Sequence, residues 1–99
     1  MNFKVQFTPQ ASQQLRELIE WWSTNRTAAR PLPREVKRVI TRLAESPHIG
    51  KIYRQTGTPI LRRPLKNTPY WLFYEVDDDS KTVFVVAAWS AERGEGLPI

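Results

Sequence analysis

The second half of this 99-residue sequence contains a series of basic and aromatic side chains that could bind a partner. Arginine can pair with a phosphate or a carboxylate through two hydrogen bonds at once, and an aromatic ring can stack on a nucleobase or fill a partner's pocket. These side chains therefore predict a surface that binds an anionic partner. The candidate binding residues are Arg54, Arg62, Arg63, Lys66, Tyr70, Trp71, Trp89 and Arg93.

Two structural interpretations compete with that prediction. Trp71 and Trp89 could belong to the hydrophobic core, and the arginines could form an ordinary solvated face. In addition, neighbouring residues of a strand point to opposite faces. At most one of Arg62 and Arg63 can therefore face any given site.

The usual catalytic and metal-binding patterns are missing from the sequence. His48 is the sole histidine and follows a predicted helix, so we expect it to be a loop residue and not part of a catalytic triad. The Asp77–Asp79 run lacks the ligand spacing and glycine of a calcium loop and predicts a hairpin turn. The four glycines form no Walker or dinucleotide motif. We therefore predict no cofactor and no metal site.

The charge balance is basic, with 15 Lys and Arg against 10 Asp and Glu and a formal net charge of +5. Such an excess favours nucleic acid or an acidic protein as the partner, although many small soluble domains carry it without consequence. The sequence contains no cysteine, which excludes disulfides and thiolate metal sites. Since we find neither a signal peptide nor an apolar run of membrane-spanning length, we expect one cytoplasmic domain over residues 1–99.

The first half of the sequence predicts one strand and two helices. Apolar residues alternate over residues 3–7, which is typical of a half-buried strand, and Thr8 followed by Pro9 predicts the start of a helix. The second helix is expected to begin near Leu32 or Pro33 and to end at Ser46-Pro47. Both helices carry an apolar stripe, and Lys37, Arg38 and Arg42 lie on the polar side of the second. The stripes are Ala11, Leu15, Leu18, Ile19 and Trp22, then Val36, Val39, Ile40, Leu43 and Ala44.

The second half predicts three strands and an irregular tail. Residues 60–65 form an edge-like or bulged strand because Pro64 cannot donate to a ladder. Residues 70–76 form an aromatic strand, and residues 82–89 form a central strand that is expected to be covered on both faces. Residues 90–99 are expected to be irregular. The predicted class is α+β: an N-terminal strand, a helical hairpin, then three strands in a mainly antiparallel sheet, in the order βααβββ.

Several short motifs resemble the RelE/ParE toxins, in order along almost the whole chain. Residues 5–11 resemble the family's first strand and the start of its first helix. Residues 43–50 look like its Leu–x–x–x–Pro–x–x–Gly signature, and residues 63–76 are similar to its Arg–x–Leu…Tyr–x–hydrophobic–x–Tyr–x–Val pattern. Residues 83–94 resemble its last strand and basic tail. Each motif alone is weak, but the series is fairly specific.

The resemblance implies two helices on a small sheet and one of two activities. The RelE-like branch cleaves messenger RNA on the ribosome with Lys, Arg and a C-terminal tyrosine, whereas the ParE-like branch poisons DNA gyrase and has no recognised catalytic set. In both branches an antitoxin segment folds around the toxin. The resemblance thus implies a ParD-like antitoxin as partner and a toxin–antitoxin hetero-oligomer.

The ribonuclease pattern fits this sequence poorly. Trp71 and Ala91 stand where that branch has arginines, Pro64 falls near one of its lysines, and Leu97 falls near its tyrosine. None of these side chains can transfer a proton or hold the charge that develops on a phosphate. The ParE-like branch and DNA gyrase are therefore the expected identity and target, with Trp21, Trp22 and the tail as candidate gyrase contacts.

Two alternatives remain open at this stage. A ribosome-dependent ribonuclease would have to use Arg62, Lys66 or Arg93 as catalysts, and arginine is a poor proton carrier because its pKa exceeds about 12. A plain nucleic-acid-binding domain without toxicity would agree with the charge, but the sequence has no groove-reading motif.

Overall fold

The computed structural model describes residues 2–25, 32–55 and 57–90. The predicted α+β class is confirmed, with one strand more than the predicted order. The elements are β1 (Lys4–Phe7), α1 (Pro9–Asn25), α2 (Leu32–Glu45), β2 (Lys51–Arg54), β3 (Ile60–Pro64), β4 (Tyr70–Asp77) and β5 (Thr82–Ser90).

The strands form one five-stranded sheet in the order β1-β5-β4-β3-β2. β1 runs parallel to β5, and the other three pairings are antiparallel, as the mainly antiparallel prediction requires. β5 is paired on both sides, which agrees with its nearly continuous apolar sequence. Both helices lie on one face of this sheet, here called the helix face, and the opposite face is called the outer face.

Helix α1 begins where the sequence places its cap. The Thr8 hydroxyl accepts a hydrogen bond from the amide of Ala11 at 3.1 Å, which satisfies one of the donors that a helix start leaves unpaired. The predicted apolar stripe packs into the core on the helix face, and Ala11 and Trp22 are buried there.

Helix α2 packs its predicted stripe into the same core. Leu32, Val36, Val39 and Leu43 are buried, four positions spaced by the helical repeat. The helix ends at Glu45, directly before Ser46-Pro47, as the sequence predicts. Two of its basic side chains, Arg38 and Arg42, line a cleft described below.

The strand that the sequence analysis missed is β2. Its four residues are mostly exposed, and Ile52 is 55% exposed, so they show no clear alternation of apolar and polar side chains. The strand forms by pairing with β3, with a bulge between Ile52 and Arg54. An edge strand of this kind is specified by its neighbour, which a local pattern cannot reveal.

Two further predictions concern the end of the chain and the membrane. Ser90 is the last residue of β5, and the rest of the predicted irregular tail, residues 91–99, lies outside the described residues. In the part of the chain that the structure describes, neither helix has the length and apolar character needed to cross a membrane.

Candidate functional site

Arg62 and Trp71 are in direct contact on the outer face. The guanidinium carbon of Arg62 lies 4.5 Å from the centre of the Trp71 ring and 5.8 Å from that of Tyr53. Arg62 pairs with Phe73 of β4, so Trp71 is its diagonal neighbour on the same face. The contact is a cation–π interaction. Arg62 Nε is also buried, and no described residue accepts its hydrogen.

Trp89 reaches the outer face because β5 contains a β-bulge. Consecutive residues of β4 pair with Ala87 and Val85, and Val86 between them has no partner on β4. The extra residue reverses the alternation of side chains. Trp89 therefore lies opposite Trp71, whereas strict alternation from Val85 would have turned it toward the helices.

The two tryptophans belong partly to a small core and partly to the surface. Ile60, Phe73 and Ala87 are buried on the outer face, and both tryptophans are partly buried against them. β5 was expected to be covered on both faces, but its outer side chains Phe84, Val86 and Trp89 are only half-buried. The outer face thus presents partly exposed rings beside the Arg62 guanidinium.

Arg63 lies on the helix face, as the alternation along β3 predicts. Its Nε donates to the carbonyl of Ile49, and its Nη2 donates to the carbonyl of Ser46 at 3.0 Å. Both acceptors belong to the segment that follows α2. Arg63 therefore holds this segment against the sheet, and its guanidinium is not placed beside that of Arg62.

Tyr74 of β4 also binds the segment that follows α2. Its fully buried ring places the hydroxyl to donate to the carbonyl of Pro47 at 2.9 Å. Burial raises the pKa of Tyr74, so the hydroxyl stays a protonated donor at neutral pH. A Cβ at Gly50 would overlap this hydroxyl oxygen. The Leu–x–x–x–Pro–x–x–Gly segment is therefore a structural clamp between α2 and the sheet.

A groove of about 740 Å³ lies between α1 and the ends of β4 and β5. Tyr70, a predicted binding residue, is buried in its wall, where its ring packs edge-to-face on Trp22 at 5.7 Å. Trp21 lines the groove and is 53% exposed. Gln14 accepts a hydrogen bond from the amide of Ala88 at 2.9 Å, beyond the part of β5 that pairs with β1. We call this surface the aromatic groove.

The remaining predicted residues are dispersed. Arg54 is exposed at the end of β2 and pairs with Ile60, the first residue of β3, whereas Lys66 follows the last residue of that strand. The Lys66 side chain is exposed after β3, and its backbone amide donates to Glu35 at 2.9 Å. Arg38 donates to the same carboxylate, and these bonds hold the pKa of Glu35 below its ordinary value. Arg93 lies outside the described residues.

The sequence analysis did not assemble the most strongly charged surface. A cleft of about 670 Å³ runs between α2 and the end of β3, where β2 no longer pairs with β3. Glu45 is its one acidic lining residue. The i,i+4 spacing of two arginines on α2 was the available signal, but only the fold brings them to β3. The basic residues lining this basic cleft are Arg38, Arg42, Lys51, Arg62, Arg63 and Lys66. Arg62 and Arg63 point to opposite faces of β3, yet both line the cleft, so the prediction that at most one of them can face a given site is wrong.

His48 and the aspartate run behave as a loop and a turn. Asp77 accepts hydrogen bonds from the amides of Asp79 and Ser80 at 3.1 and 3.4 Å, and hydrogen bonding to Ser80 is the main cause of its lowered pKa. His48 Nε2 lies 2.8 Å from an oxygen of Asp78, and both side chains are exposed. The predicted hairpin turn is thus confirmed.

The family model of the ParE toxin of type II toxin–antitoxin systems matches residues 5–94. The chain therefore belongs to the ParE toxin family of type II toxin–antitoxin systems, within the RelE/ParE superfamily that the motifs resemble. No curated protein matches the sequence.

Solved toxin structures share the fold over nearly the whole chain. The RelBE2 toxin–antitoxin complex from Mycobacterium tuberculosis matches at 26% identity and a TM-score of 0.63, covering 91% of this chain and 92% of that one. The isolated E. coli RelE toxin matches at 25% identity and a TM-score of 0.62, covering 94% and 88%. The chromosomal ParDE system from P. aeruginosa matches at 11% identity and a TM-score of 0.68, covering 89% and 95%.

Proposed function

We propose that this toxin inhibits DNA gyrase and that a cognate ParD-like antitoxin neutralises it. The observation that carries the proposal is the Arg62–Trp71 contact, at 4.5 Å. Trp71 stands where the ribonuclease branch would have an arginine, and its ring lies against the Arg62 guanidinium. A guanidinium packed on an indole combines charge with a flat apolar surface, which suits a binding contact.

In the part of the chain that the structure describes, the polar side chains that neighbour Arg62 in the sheet are engaged in structural hydrogen bonds. Arg63 is bonded to two backbone carbonyls on the helix face, and the Tyr74 hydroxyl is buried on Pro47. Lys66 is exposed on the loop after β3. The proposal therefore treats the basic and aromatic residues as a binding surface and the toxin as a protein that acts by binding.

A ribosome-dependent ribonuclease is the second candidate function, and one observation favours it. The solved structures with 25–26% identity are RelE toxins, whereas the ParDE structure has 11% identity. Under this alternative Arg62, Lys66 and Arg93 would be the catalytic residues.

An antitoxin partner is part of the proposal because several similar structures are toxin–antitoxin complexes. The aromatic groove suits an amphipathic segment, since Trp21 is 53% exposed there and the walls are aromatic. Such a segment offsets the entropy lost on ordering by burying apolar surface. We expect a toxin–antitoxin hetero-oligomer, with Trp21 among the residues that it covers.

The experiment that tests this proposal combines two assays of the purified toxin. One measures supercoiling and DNA cleavage by gyrase, and the other measures messenger cleavage on translating ribosomes. We expect trapped, cleaved DNA and intact message. Arg62→Ala and Lys66→Ala each remove only one contact from a surface of several basic residues, so each should retain gyrase inhibition, as should the control Arg16→Ala on α1. Cleaved message with unaffected gyrase, abolished by Arg62→Ala or Lys66→Ala but not by Arg16→Ala, would establish the ribonuclease instead.

A further inference from the structure

We propose that the basic cleft binds the phosphate backbone of a nucleic acid, so that the toxin contacts nucleic acid through its own residues. The inference goes beyond gyrase inhibition, because it concerns binding by the isolated chain. The inference is based on the charge, the arrangement and the accessibility of the residues that line the cleft.

The charge of the protein is concentrated in this cleft. Among the described residues, six basic side chains and one acidic side chain line it. Positive side chains that surround a concave surface reinforce one another's field and attract polyanions. Within the described residues, the cleft is therefore a place where a polyanion is attracted.

The basic residues line both walls of the cleft. Arg38 and Arg42 are four residues apart on α2 and therefore lie on one face of that helix. On the sheet side, Lys51 and Arg62 are directly paired in the β2–β3 ladder, and both line the cleft from the outer face at the edge of the sheet. Lys66 follows the end of β3. Cations distributed from the helix to the sheet edge suit an extended chain of phosphates better than a single compact anion.

Most of these cations are accessible. Arg42, Lys51 and Lys66 are exposed, and within the described residues none of them is in a salt bridge. Arg38 is paired with Glu35, but its side chain keeps 37% of its surface exposed. Their charges are therefore free to displace the counterions of a nucleic acid, which is the main source of sequence-independent affinity.

The backbone of β3 argues against an acidic peptide as the occupant. A peptide that adds to a sheet edge needs backbone donors and acceptors along that edge. Beyond the end of β2 the free edge of β3 contains Pro64, which has no amide hydrogen. One face of the Trp71 ring is also occupied by Arg62, which leaves fewer apolar anchors for a peptide. The cleft thus offers charge more than strand pairing.

The test measures fluorescence anisotropy of a short labelled DNA duplex, the matching single strand, and a glutamate-rich peptide, each titrated with the full chain. The cleft variant is Arg42→Glu with Lys51→Glu. The control variant is Lys4→Glu with Arg16→Glu, at exposed positions of β1 and α1 away from the cleft. Both variants lower the formal net charge by four, from +5 to +1. Circular dichroism checks that each variant is folded, and Lys66→Glu alone replaces the cleft variant if it is not.

We expect the wild-type chain to bind DNA with an affinity that falls steeply with salt. The cleft variant should bind about tenfold or more weakly, and its plot of log affinity against log salt should be shallower by about two units, one for each lost phosphate contact. The control variant should retain most of the affinity. Binding of duplex or of single strand supports the cleft, and the stronger of the two identifies the form it fits.

Three outcomes would overturn the inference. The wild-type chain could fail to bind either DNA at low salt, or the cleft and control variants could weaken equally, which would mean that only net charge matters. The glutamate-rich peptide could also bind through Arg42 and Lys51 while DNA does not, which would assign the cleft to an acidic protein segment. Gyrase is absent from this assay, so a failure to bind DNA would not argue against gyrase as the target. Likewise, a failure to inhibit gyrase would not argue against DNA binding by the cleft.

Discussion

Arg62 and Arg63 are neighbours in β3 with identical side chains, yet the two faces of the sheet use them differently. On the helix face, Arg63 donates to the carbonyls of Ser46 and Ile49 and closes the segment after α2. On the outer face, Arg62 lies on aromatic rings, with Nε buried and no acceptor among the described residues. Strand alternation separates them. One face uses its arginine to stabilise the fold, and the other presents its arginine on a surface.

The largest expected effect follows directly from this difference. Arg63→Ala should lower the free energy of unfolding by about 2–3 kcal/mol, because it removes two hydrogen bonds from a charged donor. Arg62→Ala is the matched control and should cost about 1 kcal/mol, the value of a partly exposed cation–π contact. Urea unfolding followed by circular dichroism measures both.

Equal losses of unfolding free energy in Arg63→Ala and Arg62→Ala would contradict the different roles of the two arginines. Arg63→Lys sharpens it, since a lysine keeps the charge but cannot donate from two nitrogens in the arginine geometry. We expect Arg63→Lys to recover only part of the lost stability.

A smaller effect should separate two tyrosines in the same way. Tyr74→Phe removes the hydrogen bond to Pro47 on the helix face and should cost about 1 kcal/mol. Tyr53→Phe makes the same change on the outer face, where the ring contacts Phe73 at 5.0 Å and keeps that contact without the hydroxyl. Its unfolding free energy should match that of the wild type. A larger loss for Tyr53→Phe than for Tyr74→Phe would reverse the roles of the two faces.

The smallest effect depends on pH. Folding lowers the pKa of Glu35, chiefly because Arg38 donates a hydrogen bond to it. The Glu35 carboxylate therefore binds fewer protons in the folded state than in the unfolded state. The resulting stability is present above the ordinary glutamate pKa and is lost as pH falls through the lowered value. The unfolding free energies of the wild type and of Glu35→Gln should therefore converge as the pH falls through this range.

A difference in unfolding free energy between the wild type and Glu35→Gln that stays constant with pH would contradict this role of the Glu35 carboxylate. Glu20→Gln provides the control, because it makes the same substitution at an exposed position of α1. The experiment also tests whether α2 is tied to the loop after β3, since the Lys66 amide shares the Glu35 carboxylate.

Most of the fold could be predicted from the sequence because its signals are local. The Thr8 cap, the apolar stripes and the Ser46-Pro47 stop each depend on a few adjacent residues, and each has the predicted place. The division of Arg62 and Arg63 between two faces was also predictable, since it needs only the period of a strand.

The arrangement of the candidate surfaces could not be predicted because it depends on contacts between distant residues. The bulge at Val86 moves Trp89 to the outer face, and no local pattern in β5 signals it. β2 forms only where β3 supplies a partner. The basic cleft joins Arg38 and Arg42 to a strand some twenty residues later in the sequence, and the tertiary fold alone creates it.

The contact between Gly50 and Tyr74 has a consequence for how such toxins can change over generations. Gly50 does not have a positive φ, so space alone restricts it, and the Tyr74 hydroxyl occupies that space. Phenylalanine at position 74 removes the severe overlap with an alanine at position 50, but the Arg62 carbonyl oxygen and the ring carbon Cζ stay 3.2 Å from the added Cβ, so a small local shift is still required. The two positions are thus expected to covary among related sequences, with the glycine and the tyrosine kept or replaced together.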